Sequence, residues 1–379
     1  MKYTLSIDWL AFFCICDCGH FGHAQYQPDR TAVLDRWHYD KKHGEDKGSV
    51  FQSLPWVYKL EDHGTRQYRE LWTISLNKEE VAQVQAEPCS SVLKSDSVIV
   101  KFHNRLLYQK ELWDIVDRFL FDHHLTVQSV SRLDICADFN RFATMSAPEL
   151  ITGFVCSRLR HKGQGEGAAY FQAYNVHEGK RSTQHLKYTG LSFGTHKSDA
   201  RVYLYNKTEE LKNADKPWIR DLWLQGGLDV SKNVWRLEVS LKSKSTKFKD
   251  KNTDELYKVT SEKLHCQSEL LTLYHTFVRK LFSFVHNRPG ITNITREPVI
   301  KLFNDEPYMD RAVLRPVTGA GRIEKVIIKQ LWQMSDKFRS PDILADEGVS
   351  KLLATTLAGA CDLNRWFEMK KGSWKTLRK

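Results

Sequence analysis

The sequence predicts an α+β fold with a mainly antiparallel central sheet flanked by helices and a small helical C-terminal tail. Many segments with strand periodicity come before residue 288, with few helices between them, and this order disfavours a doubly wound parallel sheet. No GxGxxG or P-loop pattern is present, which argues against a nucleotide-binding domain. With 379 residues, 41% hydrophobic and 27% charged, the chain has the composition of a globular protein with a substantial core.

Alternation of apolar and polar side chains marks the predicted strands. The first is residues 3–18, followed by a polar, loop-rich stretch over 26–52. A hairpin is predicted over 57–76 with its turn near residues 62–64, where turn-forming residues separate apolar runs. The remaining predicted strands are residues 97–104, 126–139, 169–176, 186–194, 200–207 and 234–243.

Apolar side chains at helical spacing predict the helices. One runs over 106–124, with Leu112, Val116 and Phe119 on one face. Pro148 stands at an early helical position and opens a predicted helix over 148–160. The other predicted helices are residues 208–215 and one long helix, or two, within 254–287. Residues 162–167 and the lysine-rich stretch 242–252 are predicted loops.

Proline and glycine recur between residues 289 and 322, which is typical of a boundary between folded regions. We therefore predict one large domain over 1–288, a linker over 289–322 and a helical region over 323–379.

Charge indicates a polyanionic partner. The 57 Lys and Arg outnumber the 46 Asp and Glu, which gives a net charge of +11. Such a balance is typical of nucleic-acid-binding proteins, although many basic proteins bind no DNA. The longest apolar run, WLAFFCIC, is far shorter than the ~20 residues of a membrane span. The eight cysteines are mostly scattered, as in a reducing cytoplasm, so we expect a cytoplasmic protein without a membrane partner.

Three predicted strands carry reactive side chains on one face and apolar side chains on the other, because side chains alternate along a strand. The reactive faces hold Arg132, Asp134, Cys136 and Asp138; Arg201, Tyr203, Tyr205 and Lys207; and Arg236, Glu238, Ser240 and Lys242. If the strands are neighbours, carboxylates, cations and two tyrosines share one surface. The alternative is a solvated sheet face with cross-strand ion pairs.

The chemistry of such a surface suits phosphodiester cleavage. Carboxylate oxygens suit Mg²⁺ or Mn²⁺, and a bound metal polarises a phosphodiester oxygen. A tyrosine beside it is a candidate nucleophile, provided that a metal, a cation or a base helps its phenol to ionise.

Three segments, RLDICADF, GLSFGTHKSDARVYLYNKTEE and VWRLEVSL, occur in this order and resemble the Rep_trans family of rolling-circle replication initiators of plasmids and filamentous phages. Conjugative relaxases of the MOBT type share that domain. The resemblance runs from SIDWL, at residues 6–10, to about residue 287. It implies a replication-initiator-like fold over 1–288 and a site-specific, metal-dependent single-strand nickase. A tyrosine becomes joined to the 5′ phosphate, leaving a 3′ hydroxyl as primer.

The resemblance also implies roles and partners. Tyr205, just before Asn206 and Lys207, corresponds to the nucleophile, with Lys207 as the cation beside it. Asp134 and Glu238 correspond to the acidic metal ligands, Asp138 is a further candidate ligand, and Arg132 is a candidate catalytic residue. The implied partners are double-stranded or cruciform origin DNA, single-stranded DNA, a host helicase and a second copy of the chain, in a bacterial cytoplasm.

Tyr203 departs from the family, in which many relatives have arginine at this position. Spacing alone does not distinguish Tyr203 from Tyr205. Three roles therefore remain for Tyr203: a second nucleophile, a stacking platform or a packing residue. The predicted DNA-binding residues are Arg158, Arg160, Arg201, Tyr203, Arg236, Lys242, Lys244, Lys247 and Lys249. The alternative for the basic loops is solvation without a ligand.

Other interpretations remain at this point. The HUH nickases hold their metal with His-apolar-His, and no His-x-His occurs here. A conjugative relaxase and a non-catalytic DNA-binding regulator are the alternative functions. Cys14, Cys16, Cys18 and His20 suggest zinc by residue type, but their spacing does not fit the usual C-x₂₋₄-C pattern. Buried thiols on a core strand are the competing account.

Overall fold

The structure is a computed structural model of the chain. It describes residues 1–17, 21, 50–53, 55–90, 93–162, 169–178, 183–195, 198–250, 256–290, 293–304 and 312–316. The side chains of 50–53, 169–178, 183–187, 249–250, 295 and 312–316 are not described. The predicted helices within 323–379 and most of the predicted loop 26–52 lie outside these residues. The chain divides into two compact units, Met1–Ala312 and Val313–Lys379, and the site lies in the first.

The prediction of an α+β fold with an antiparallel sheet is confirmed. The strands are β1 (Thr4–Cys16), β2 (Val50–Ser53), β3 (Trp56–Leu60), β4 (Tyr68–Leu76), β5 (Glu79–Pro88), β6 (Ser97–Phe102), β7 (Leu125–Phe139), β8 (Leu159–His161), β9 (Ala169–Glu178), β10 (Thr183–Phe193), β11 (Ala200–Asn206), β12 (Trp235–Lys242), β13 (Lys247–Asp250), β14 (Leu256–Lys258), β15 (Phe284–His286) and β16 (Ala312–Pro316). Eleven form one sheet in the order β2-β3-β4-β5-β6-β1-β7-β12-β11-β10-β9. Its neighbouring strands pair antiparallel.

Helices flank this sheet. They are α1 (Leu112–Asp122), α2 (Ala147–Val155), α3 (Lys207–Leu211), α4 (Pro217–Gln225), α5 (Ser261–His265) and α6 (Gln267–Leu281), with 3₁₀ turns at Leu106–Tyr108, Ser243–Thr246 and Ile294–Arg296. Ser146 caps α2 through a reciprocal capping box with Glu149, just before the proline that opens the helix. No helix in the described part of the chain has the length and apolarity that a bilayer crossing requires.

Several predicted elements are shorter or divided. The helix predicted over 106–124 is a 3₁₀ turn followed by α1, and the helix predicted over 148–160 ends at Val155, two residues before Ser157, which takes a positive φ of 58°. The segment 254–287 contains two helices flanked by the short strands β14 and β15. The predicted loop 242–252 includes a 3₁₀ turn and β13. Strand β5 and helix α4 were not predicted.

The apolar faces of the central strands form the core. Leu133, Ile135, Leu204, Leu237 and Val239 are each 0% exposed. Helix α6 packs on β11 and β12, and its Tyr274 Oη donates a hydrogen bond to the Leu237 carbonyl at 3.0 Å. The faces that carry the reactive side chains therefore point away from α6.

Packing of the first unit continues past residue 288. Phe303 is fully buried, with its ring centroid 5.3 Å from that of Tyr3 and 6.0 Å from that of Phe142. The Ala143 amide donates to the Leu302 carbonyl at 2.8 Å. The early part of the proposed linker thus contributes to the core, and the division into 1–288, 289–322 and 323–379 stays a prediction.

Candidate active site

Strand order and register bring the three reactive strands side by side. Strand β12 lies between β7 and β11. In the pairing of β12 with β7, Glu238 is opposite Cys136 and Ser240 is opposite Asp134. On the other side of β12, Tyr203 is opposite Glu238. Since side chains opposite one another share a face, the predicted carboxylates, cations and tyrosines converge on one surface.

Tyr205 stands between a carboxylate and an ammonium group. Its Oη donates a hydrogen bond to Glu238 Oε2 at 3.0 Å. Lys207 Nζ lies 3.5 Å from the same Oη, and the Lys207 side chain is 1% exposed. Asn206 holds the chain here, since its side-chain oxygen caps α3 by accepting from the Glu209 amide at 3.2 Å. Tyr205 therefore belongs to strand β11, and Lys207 is the first residue of α3.

Burial raises the pKa of Tyr205 well above its ordinary value, and the Glu238 carboxylate beside it raises this pKa further. The phenol is therefore a neutral hydrogen-bond donor in this state. Burial also raises the pKa of Glu238, to about 7, and the nearby Asp8 and Asp134 carboxylates act in the same direction. This pKa is close to neutrality, so Glu238 is suited to proton exchange.

Tyr203 packs on Tyr205, with ring centroids 4.8 Å apart and planes inclined by 30°. The Arg201 guanidinium lies 5.0 Å from the centroid of the Tyr203 ring. The two tyrosines that spacing could not distinguish therefore differ in surroundings: the Oη of Tyr205 contacts both Glu238 and Lys207.

Asp134 and Arg132 form a neighbouring ion pair on β7. Arg132 donates to the two oxygens of Asp134 at 3.1 and 2.6 Å, and Ser240 Oγ donates to Asp134 at 2.5 Å. Burial raises the pKa of Asp134 despite these donors. The Arg132 guanidinium also lies 4.1 Å from the ring centroid of Trp9, which fixes its position over the sheet.

Asp8 is a site residue that sequence reasoning missed. The pairing of β1 with β7 shifts register between Ile7 and Trp9, so Asp8 occupies a β-bulge. Its Oδ1 accepts from Arg236 Nη1 at 2.7 Å and from the Tyr108 hydroxyl. Burial raises the pKa of Asp8, but Arg236 and then Lys207 outweigh it and hold this pKa below its usual range. A single charged residue within the apolar run TLSIDWLAFFCIC was the available signal.

Two residues with predicted site roles are buried in the structure. Arg236 is 0% exposed and cannot reach DNA. Its Nε and Nη2 donate to the two oxygens of Asp138 at 2.6 and 2.7 Å, and Trp223 Nε1 of α4 donates to the second of these oxygens at 2.7 Å. Asp138 is also 0% exposed and accepts three hydrogen bonds from these donors, so it faces the buried Arg236 rather than the predicted metal site. Instead, Asp138 and Asp8 neutralise Arg236 inside the protein.

Asp8 and six of the predicted site residues line a cavity of about 560 Å³, here called the tyrosine cavity. Its lining includes the two tyrosine rings and five carboxylates, those of Asp8, Asp134, Glu209, Glu210 and Glu238. Arg132 and Lys207 supply the cationic side chains of its lining.

The donor chemistry of this cavity suits a hard cation, but the carboxylates are not gathered into a ready site. Within the described residues, no three His, Cys, Asp or Glu side chains are grouped closely enough to hold a metal ion. Burial and then the repulsion from neighbouring carboxylates raise the pKa of Glu238, and a bound cation would relieve that repulsion. At the cysteine cluster, Cys14 and Cys16 are buried thiols, and Cys18 and His20 lie outside the described residues.

The other predicted DNA-binding residues divide into two sets. Arg201 and Lys242 line a smaller cavity next to the tyrosine cavity. Lys244 and Arg158 are exposed, and Lys247 and Arg160 are half-buried. None of these four lines either cavity, and the side chain of Lys249 lies outside the described part of the chain.

Comparisons with known proteins give one kind of match. No protein-family model matches the chain, and no curated protein sequence matches it. Among solved structures, the chain is similar to a rolling circle replication initiator protein from Geobacillus stearothermophilus. The two are 14% identical, the match covers 79% of this chain and 93% of that chain, and the TM-score is 0.43.

Proposed function

We propose that this protein is a metal-dependent single-strand DNA nickase that initiates rolling-circle replication, with Tyr205 as the nucleophile. The observation that carries the proposal is the placement of the Tyr205 hydroxyl in an accessible cavity, 3.0 Å from a carboxylate and 3.5 Å from an ammonium nitrogen. A nucleophile, a proton acceptor and a cation at one point are what phosphodiester transesterification by tyrosine requires.

The proposed step exchanges one phosphodiester for another. Tyr205 Oη forms a bond to the phosphorus of a DNA phosphodiester, and the bond from that phosphorus to the 3′ oxygen breaks. The DNA 5′ phosphate is then joined to the enzyme, and the departing 3′ oxygen takes a proton to become the primer hydroxyl. Since one ester is made for each one broken, rejoining is the same step in reverse.

Proton transfer in this step falls to Glu238. Its Oε2 already accepts the Tyr205 hydrogen bond, so the phenol proton has a direct path to the carboxylate. Glu238 takes this proton as Oη attacks and returns it to the departing 3′ oxygen. Lys207 stabilises the negative charge that grows on Oη, because its Nζ is held beside this oxygen.

The metal proposal rests on three of the five carboxylates that line the tyrosine cavity. Asp8, Asp134 and Glu238 would hold Mg²⁺ or Mn²⁺, since both ions prefer oxygen ligands. A bound ion supplies Lewis-acid polarisation of the phosphodiester and a charge that favours the ionised tyrosine. Arg132 positions Asp134 by its paired hydrogen bonds.

Substrate and partners follow from the same proposal. The +11 net charge of the chain favours a nucleic-acid strand as the substrate. We propose origin DNA, double-stranded or cruciform, and the single strand released from it, with a host helicase and a second copy of the chain as further partners. Membership in the Rep_trans family and a location in the bacterial cytoplasm belong to this proposal as well.

The test is a search for the covalent adduct. The protein is incubated with Mn²⁺ and labelled DNA carrying the origin of its own replicon, and denaturing electrophoresis with peptide mass spectrometry then identifies the modified residue. We expect DNA attached through its 5′ end to Tyr205, and no adduct after EDTA treatment. An adduct that forms equally well with EDTA would refute the metal, and an adduct on another residue would refute the assigned nucleophile.

The same experiment separates the alternative functions. A conjugative relaxase would form the same adduct on a transfer origin and leave the replication origin intact. A non-catalytic DNA-binding regulator would bind DNA and form no adduct on either.

A further inference from the structure

A second cavity of about 110 Å³ adjoins the tyrosine cavity and is here called the basic cavity. We infer that it binds one phosphate group of a nucleic-acid strand, next to the phosphodiester that Tyr205 attacks. This inference rests on the proposed function and adds to it a subsite that positions the strand. The two cavities share Arg132, Tyr203 and Glu238 as lining residues, so one strand can occupy both.

Three adjacent strands each contribute one cation to the basic cavity. Lys242, on β12, is opposite Arg132 on β7. On its other side, β12 places Ser240 opposite Arg201 of β11. The three cationic side chains therefore meet because of the sheet register, and each is anchored on a paired strand rather than on a free loop.

The composition of the lining favours an oxyanion. Arg132, Arg201 and Lys242 face a single carboxylate, Glu238. The hydroxyls of Thr195, Ser198 and Ser240 add donors between the charges. Guanidinium groups donate in a planar fork that matches two oxygens of a phosphate, and hydroxyls complete such a shell.

Contacts hold both arginines before any ligand arrives. Arg132 is fixed by Asp134 and by the Trp9 ring. Arg201 Nη2 lies 3.4 Å from Ser192 Oγ, and its guanidinium lies over the Tyr203 ring. Preorganised side chains lose less conformational freedom on binding, so the cavity is suited to recognise a fixed phosphate position.

The distance between Arg201 and Tyr205 allows the phosphate in the basic cavity and the cleaved phosphodiester to belong to one DNA strand. Arg201 and Tyr205 are four residues apart on β11, which corresponds to about 13 Å along a strand. Tyr203 lies between them and lines both cavities. A DNA strand that runs along β11 would place a flanking phosphate at Arg201 and Lys242 while the scissile phosphate is at Tyr205.

Inorganic phosphate is the first probe. The melting temperature is measured up to about 50 mM phosphate against sodium chloride of equal ionic strength, for wild type, Arg201→Gln, Lys242→Gln and the control Lys110→Gln. Lys110 is exposed, lies outside both cavities and the predicted DNA-binding set, and loses the same charge. We expect wild type and the control to gain about 2–4 °C and the two cavity variants to gain less than half of this. Equal gains in all four proteins would overturn the site.

A strand of about 12 thymidylates is the second probe and identifies the source of the phosphate. We expect the gain from inorganic phosphate to disappear when the oligonucleotide is saturating, because both ligands use the basic cavity. If the two gains add, the cavity takes free phosphate and the strand proposal is wrong. Neither measurement involves cleavage, so a protein that binds phosphate as expected but forms no tyrosine adduct would refute only the proposed function.

Discussion

Tyr205 on β11 donates a hydrogen bond to Glu238 on β12 at 3.0 Å, although 33 residues separate them in sequence. The two strands pair so that Tyr203, not Tyr205, lies directly opposite Glu238. The hydrogen bond is therefore diagonal across the ladder, and it distinguishes two tyrosines that share a strand face. If this contact marks the nucleophile, the two tyrosines must respond differently to the same substitution.

Tyr205→Phe removes one oxygen and keeps the ring that stacks on Tyr203. We expect adduct formation to fall at least about 10³-fold, because the attacking atom is lost. DNA affinity should stay within about threefold, since the ring contacts remain. The measurements are an adduct assay on denaturing gels and fluorescence anisotropy with the same oligonucleotide. Tyr203→Phe is the matched control and should retain the adduct; the reverse pattern would make Tyr203 the nucleophile.

Glu238→Gln keeps the size of the side chain and removes its ability to take a proton. We expect nicking to slow by about 10²–10⁴-fold, the usual contribution of general acid–base catalysis, with binding little changed. Single-turnover nicking rates test this. Glu209→Gln is the control, because Glu209 lines the same cavity but pairs with Lys212 instead of Tyr205. Equal slowing by both substitutions would show an effect of charge in the cavity rather than of the proton acceptor.

Arg236→Met should destabilise the fold by about 3–5 kcal/mol, because it leaves the buried Asp138 and Asp8 without their cation. Urea denaturation followed by tryptophan fluorescence gives the free energy of unfolding. Lys232→Met breaks an exposed, solvent-screened ion pair with Asp229 and should leave the free energy of unfolding nearly unchanged. A similarly small change at Arg236 would mean that the buried network contributes little to stability.

His123 predicts a pH dependence of stability. Its Nδ1 donates to the Phe119 carbonyl and its Nε2 accepts from Tyr58 Oη, both at 2.7 Å, so the buried ring is neutral. Burial lowers the pKa of His123 from 6.5 to about 4. Between these values the unfolded chain binds more protons than the folded one. The stabilisation is thus complete above about pH 6.5 and declines by up to about 3 kcal/mol as pH falls toward 4.

The measurement is the free energy of unfolding of wild type and His123→Gln at about pH 7.5 and pH 4.5. Carboxylates titrate in both proteins, so the difference between the two pH dependences isolates His123. We expect wild type to lose more stability than the variant over this interval. Identical losses would mean that the ring is already protonated, or accessible to protons, in the folded state.

Strand periodicity was sufficient to predict the strands and the side chains that share one face within each of β7, β11 and β12, because side-chain alternation follows from backbone geometry alone. That the three strands are neighbours is known only from the structure. Periodicity could not separate Asp134 from Asp138, which lie on the same face. Their difference comes from α4, whose Trp223 covers Asp138 and leaves Asp134 at the cavity. Asp8 was not predicted because the bulge that turns it toward the site leaves no periodic signal.

The bulge at Asp8 allows β1 to pair with β7 and also to present a carboxylate to the cavity. Residues on either side of it, such as Ile7 and Trp9, pair with β7, while Asp8 itself has no partner in that register. Substitution at Asp8 would alter the chemistry of the cavity and leave the ladder intact. Deletion of this one residue would make the Ile7 and Trp9 pairs consecutive in a regular antiparallel ladder, so the register with β7 would stay the same while the bulge and its carboxylate disappeared. The extra residue at this point of β1 is therefore required by the site and not by the sheet.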